Sequence, residues 1–187
     1  MVVLFVLPSR YFIAATFGAT SVMLAAAFFA AVSRRPKLTP RSTLIGLGSA
    51  ALLYATFYIG NSAIKLVGFS NAAGPAGASI YFLVSSPAYP LALQVLVLAF
   101  DATGFETFFR GTLQTKLSPK FGIAASPLVA LVDATIHAVT LNPLWVVATF
   151  MADFAWGLTY AIGHDVSSSL LSHFIWDVAI FIIRPIR

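Results

Sequence analysis

Six stretches of almost uninterrupted apolar residues, at 11–32, 43–69, 91–117, 126–139, 144–162 and 167–183, make up most of this chain. The hydrocarbon core of a bilayer is crossed by about 20 apolar residues in a helix. Inside lipid every backbone N–H and C=O must be bonded within the spanning structure, which leaves helices and closed barrels. The runs lack the two-residue alternation of a barrel strand. The expected fold is therefore all-α: a polytopic integral membrane bundle of about six transmembrane helices, placed in the cell membrane. Composition closes the other routes. Of 187 residues, 59% are hydrophobic and only 9% are charged, against about 25% charged in an ordinary soluble domain. Such a chain cannot cover a water-facing surface, so soluble, disordered and nucleic-acid-binding readings fall away. The net charge of +5 fits basic loops at an anionic membrane face. With no cysteine, disulfides, thiolate zinc sites and a cysteine nucleophile are excluded.

The first run reads as an uncleaved anchor rather than a signal peptide, because it is longer than the usual apolar region of about 7–15 residues. Arg34, Arg35, Lys37 and Arg41 follow it and only Arg10 precedes it, which places its C-terminal end in the cytoplasm. Lys65 is expected to snorkel to the interface. Residues 70–90 are rich in Gly, Ala, Ser and Pro and carry no charge. They read as a loop or re-entrant piece on the far side. Lys116 and Lys120 bring the third run back to the cytoplasm. Asn142–Pro143 and His164–Asp165 mark breaks between the later runs. No internal repeat is visible.

Five of the six acidic residues, Asp101, Glu106, Asp133, Asp153 and Asp177, fall inside the runs. A charged residue at the centre of a spanning helix costs roughly 2.5–3.5 kcal/mol on insertion scales. A structural bundle would place its acids in loops, so a polar site within the membrane is expected. Three pairs sharpen this: Glu106 with Arg110, Asp133 with His137, and His173 with Asp177. Each pair is four residues apart and shares a helix face. Taken singly, such a pair is as well explained by mutual neutralisation or helix–helix glue. Three in the C-terminal half, with two histidines able to move protons near neutral pH, point to a shared site. Other catalytic patterns are weaker. There is no His-Glu-x-x-His helix and no Gly-x-Gly-Asp. Gly77–Ala78–Ser79 is a chance likeness to a serine-protease loop. Ser167, Ser168, Ser169 and Ser172 are expected to bond their own backbone.

Residues 105–111 read Phe-Glu-Thr-Phe-Phe-Arg-Gly, residues 133–137 Asp-Ala-Thr-Ile-His, and residues 173–177 His-Phe-Ile-Trp-Asp. Their order and spacing resemble the three motifs of the CPBP intramembrane proteases, the group of type II CAAX prenyl endopeptidases and bacteriocin-processing enzymes formerly called Abi. Those motifs are Glu-Glu-x-x-x-Arg, Phe-x-x-x-His and His-x-x-x-Asn or Asp. Trp156, Gly157, Leu158 and Tyr160 resemble the family's approach to its final helix. The resemblance covers residues 95–181, and it divides the chain into N-terminal helices with a basic cytoplasmic loop (1–90) and motif-bearing helices (91–187). It implies an intramembrane endopeptidase acting on membrane-associated peptides or proteins, prenylated ones included, with membrane lipid as its other partner and no nucleic acid. It gives Glu106 and Arg110 an ion-pair or site-shaping role, His137 a water-activating role beside a carboxylate, and His173 and Asp177 an oxyanion or polar-site role. Phe105 stands where the family has its first glutamate, and Asp133 where it has Phe. Asp101, one turn before Phe105, and Asp133, one turn before His137, are supporting carboxylates. A divalent metal such as zinc is compatible with two histidines and several acids, and the family resemblance does not choose between metal and glutamate chemistry. An inactive homologue that binds membrane partners is the alternative, and a small transporter with an Asp/His proton relay is a third reading.

The loop 33–42 and the segment 116–120 are predicted to lie on one side of the membrane. Because the chain has no cysteine, single cysteines at Ser33 and Ser118 can be labelled with an impermeant reagent from each side. The same side is expected for both, and labelling from opposite sides overturns the predicted topology.

Overall fold

Side-chain caps open three of the helices. In the computed structural model, which describes residues 12–30, 36–67 and 89–186, the first helix is α1, Phe12–Phe29. Thr39 caps α2, Pro40–Leu66, in a reciprocal box with Ser42, and Pro40 supplies the first turn. Helix α3, Leu91–Phe108, runs without a break into a π-helical segment, Phe109–Gln114, and then into α4, Thr115–Phe121. Gly122, at φ 55°, turns the chain back where a side chain would strain it. A short 3-10 turn leads to α5, Ala125–His137. Asn142 accepts from the backbone N–H groups of Leu144 and Trp145 at 3.1 and 3.4 Å and opens α6, Pro143–Gly163. His164 closes α6 in the left-handed region, at φ 58°. Asp165 accepts from the backbone N–H of Ser168 at 2.9 Å and opens α7, Val166–Val178, which continues as a π-helical stretch to Ile183. The breaks expected at 142–143 and 164–165 are both present.

Among the described residues all regular structure is helical. The protein is a helical membrane bundle. Among the described residues four stretches are long and apolar enough to cross a bilayer: Pro40–Leu66, Leu91–Thr140, Pro143–Gly163 and Val166–Ile183. The expected count was about six. The difference has two sources: within the described residues α1 contributes only the shorter apolar stretch Ile13–Phe29, and α3 to α5 run on as one helical stretch of 50 residues. That stretch folds back on itself, because Gln114 on its first arm donates to Ser126 on its second. The basic residues Arg34 and Arg35 and nearly all of the uncharged segment 70–90, with the Gly77–Ala78–Ser79 likeness, lie outside the described residues.

Helix α3 is central. It packs α1 on one side and α7 on the other, while α2 lies along α7 and α6, and α5 pairs with α6. One apolar cluster threads these contacts, with Met23 from α1, Leu53 from α2, Phe105 and Phe109 from the α3 stretch, Val129 from α5, Trp156 from α6 and Trp176 from α7. Helix α1 approaches α3 where Gly104 has no side chain: a Cβ there would sit 2.4 Å from Cγ2 of Thr20. Beside this contact the Thr20 hydroxyl donates to Asp101 Oδ1 at 2.9 Å. Small residues allow such backbone approach in lipid.

Gly104→Ala is expected to lower stability by about 1–3 kcal/mol through overpacking. Adding Thr20→Ser removes the methyl group and keeps the hydroxyl, so it should recover most of that loss. Thermal unfolding in detergent measures both, and an equal deficit in single and double variants excludes this contact as the cause.

Candidate active site

The π-helical segment turns Arg110 and Gln114 into the space between α5, α6 and α7. Extra residues per turn of this kind recur at functional sites. Arg110 is fully buried. Its Nη2 donates to the carboxylate of Asp153 and, at 2.9 Å, to the Asp153 carbonyl. Its Nη1 donates to Gln114 Oε1 at 3.3 Å. Its Nε stands 3.5 Å from Glu106 Oε2, the i,i+4 contact that the spacing implied. Gln114 completes the network by donating to Ser126 at 3.0 Å and to the Gly157 carbonyl at 2.9 Å.

Glu106 is also fully buried. Its Oε1 accepts from Nδ1 of His173 at 2.9 Å, across from α3 to α7. The other ring nitrogen, Nε2, faces Asp177 Oδ2 at 3.5 Å. The imidazole therefore lies between two carboxylates. Trp156 stacks flat on it, with ring centroids 3.6 Å apart and planes 14° from parallel, while Phe105 meets it edge-on at 5.1 Å. Aromatic faces on a ring flanked by carboxylates suit a cationic imidazole. Asp101, on the same helix as Glu106, is held by Thr20.

His137 is placed differently. Its Nδ1 donates to the Asp133 carbonyl at 3.0 Å and lies 3.5 Å from Asp133 Oδ2. A carbonyl only accepts, so the proton is on Nδ1 and the ring's basic lone pair is on Nε2. The ring stacks on Trp145 at 6.5 Å and is 7% exposed. Of the three i,i+4 pairs in the sequence, all three contacts form. Of the carboxylates expected near His137, Glu106 hydrogen-bonds His173, Asp101 accepts from Thr20, and Asp133 lies beside His137 through both its carbonyl and Oδ2.

Asp153 and Gln114 were missed as members of the network. A signal existed: Arg110 is the one arginine inside the predicted runs, and a buried acid on another helix needs a cation. Gln114 gave no such signal. Among the described residues no group of three or more His, Asp or Glu side chains is arranged to hold a metal ion. Glu106, Asp153 and Asp101 meet His173, Arg110 and Thr20, and Asp133 lies beside His137.

This constellation carries all three sequence motifs, and residues 87–179 match the family described as type II CAAX prenyl endopeptidase Rce1-like. The chain belongs to the CPBP family of CAAX proteases. The match spans α3 to α7, so the polar network lies within the part of the chain that defines CPBP membership. No curated protein and no solved structure matches the chain. The family is one of CAAX-type membrane proteases.

Arg110 neutralises two buried acids on two helices, so Arg110→Ala is expected to cost about 3–5 kcal/mol, the range for breaking a buried ion pair by removing one partner. Adding Glu106→Gln and Asp153→Asn to it should restore part of that stability. Unfolding in mixed micelles measures the cycle, and strict additivity would show that the three side chains do not interact.

Proposed function

We propose that the chain is an intramembrane endopeptidase that cleaves membrane-associated peptides, with His137 and His173 as its working pair. One observation carries this reading: both buried histidines are held through Nδ1, His137 by a backbone carbonyl and His173 by Glu106. Each tether fixes the ring and makes Nε2 the reactive atom. Nε2 of His137 takes a proton from the attacking water as the new C–O bond forms. The hydroxide equivalent adds to the scissile carbonyl and gives a tetrahedral oxyanion. Nε2–H of His173 donates to that oxygen, leaving its long contact with Asp177, while Glu106 holds the opposite edge of the ring. The proton collected by His137 then passes to the departing amine, and the C–N bond breaks. The low-dielectric interior strengthens each of these interactions. Donor preorganisation of this kind typically contributes about 100- to 1,000-fold. No step requires a metal. CAAX-type substrates, including prenylated ones, are the class that the family's name suggests, and lipid is the medium through which they would reach the site.

A second reading has its own observation. Phe105, at the position of the family's first glutamate, is 3% exposed and packs on Phe109, Trp156 and His173. An apolar ring there favours an inactive homologue that binds membrane segments.

Cleavage of a membrane-peptide library by the purified protein separates the two. The native form is expected to cleave, His137→Ala to lose about 100-fold or more, and Glu106→Gln to fall strongly. Full activity in His137→Ala sinks the proposed mechanism. A silent native protein that gains activity as Phe105→Glu establishes the second reading.

A further inference from the structure

Arg110 shares its guanidinium unevenly. Toward Glu106 it offers only Nε, at 3.5 Å, beyond ordinary hydrogen-bond length. Its Nη edge is committed to α6 through the Asp153 carboxylate and carbonyl, and to Gln114. Four residues from a glutamate on one helix, an arginine is in reach of a two-bond fork on the carboxylate, the strongest pairing open to these groups. To close that fork the Glu106 carboxylate would have to turn both oxygens toward Arg110, away from α7. Oε1 would then leave Nδ1 of His173, and His173 would lose the tether that aligns it.

We infer that Asp153 is a positioning residue: by holding the Nη edge of Arg110 on α6, it keeps the guanidinium from capturing Glu106 and so preserves the Glu106–His173 hydrogen bond. A charged acceptor suits this role. The competitor is itself a carboxylate, and charge-assisted bonds are about twice as strong as neutral ones. The carbonyl of the same residue adds a second acceptor for Nη2, so the anchor is two-pointed. Gln114 closes the other side: its amide oxygen takes Nη1 while its nitrogen is fixed to Ser126 and Gly157. Asp153 thus acts on His173 through two intermediaries, Arg110 and Glu106. Its consequence for turnover rests on the proteolytic reading above, whereas its effect on the His173 proton does not.

The full chain, labelled with ¹⁵N-histidine and reconstituted in nanodiscs, contains three histidines. His173→Gln identifies the His173 signals. In the native protein the Nδ1–H proton of His173 is expected far downfield and protected from exchange. Asp153→Ala should abolish that signal, and Asp153→Asn should weaken it. Asp153→Ala combined with Arg110→Gln should restore it, because the competing guanidinium is gone. Circular dichroism confirms the fold of each variant, and Asp153→Asn carries the comparison if Asp153→Ala does not fold. An unchanged His173 signal in the folded Asp153 variants overturns the role. So does a signal that stays lost in the folded Asp153→Ala, Arg110→Gln protein. If the native protein cleaves peptides, Asp153→Asn should lower kcat by about tenfold or more with KM little changed. A native protein without activity would sink the proteolytic reading and leave the His173 comparison to decide the role of Asp153.

Discussion

The guanidinium of Arg110 sits where α3, α5, α6 and α7 converge, and the core polar groups around it connect back to it. Through Glu106 it reaches His173 and Asp177 on α7. Through its Nη edge it reaches Asp153 on α6. Through Gln114 it reaches Ser126 on α5 and the Gly157 carbonyl on α6. Apolar contacts cannot hold these helices together by the hydrophobic effect, since lipid tails are as apolar as the side chains. Polar contacts and close packing must do so. The Arg110 network supplies the polar part for the motif-bearing helices. A smaller chain of hydroxyls, Ser172 to Ser49 at 3.0 Å and Ser49 to Thr159 at 2.6 Å, joins α2 to α7 and α6.

Much of the helical layout was legible in the sequence because its signals are local. Each apolar run falls on a helix, Asn142–Pro143 and Asp165 start helices where expected, and the i,i+4 pairs meet because one turn of helix brings them together. What was not legible depends on neighbours. Nothing in residues 109–114 announces a π-helical segment. The cross-helix bonds Glu106–His173 and Arg110–Asp153 span 67 and 43 residues, and spacing says nothing about which faces of distant helices oppose one another. The serines show the divide within one helix. Ser169 bonds the backbone of its own turn, as its residue type suggests, while Ser172 leaves its helix for Ser49.

Phe105 shows what replacing one carboxylate does to its surroundings. In place of an acid that would need a cation or water, the ring joins Phe109 at 4.4 Å and Trp156 at 6.3 Å and closes one edge of His173. The imidazole is then held by aromatic rings as well as by carboxylates. Its orientation is fixed by shape and by charge together, and loss of either would leave the other in place.

The long sequence separations have a consequence for how the chain enters the membrane. Helices are made in order, and α3 emerges with Asp101, Glu106 and Arg110 before α6 and α7 exist. Among the described contacts, those open to it at that moment are its own Glu106–Arg110 pair and the Asp101–Thr20 bond to α1. Asp153 and His173 arrive as later helices, each with a polar group still lacking its mate. Glu106 and Arg110 therefore meet their partners on α7 and α6 only after those helices are made. The network that secures the finished bundle therefore closes only once α6 and α7 are made, whereas the Thr20–Asp101 bond joins two helices made earlier and is kept in the folded protein.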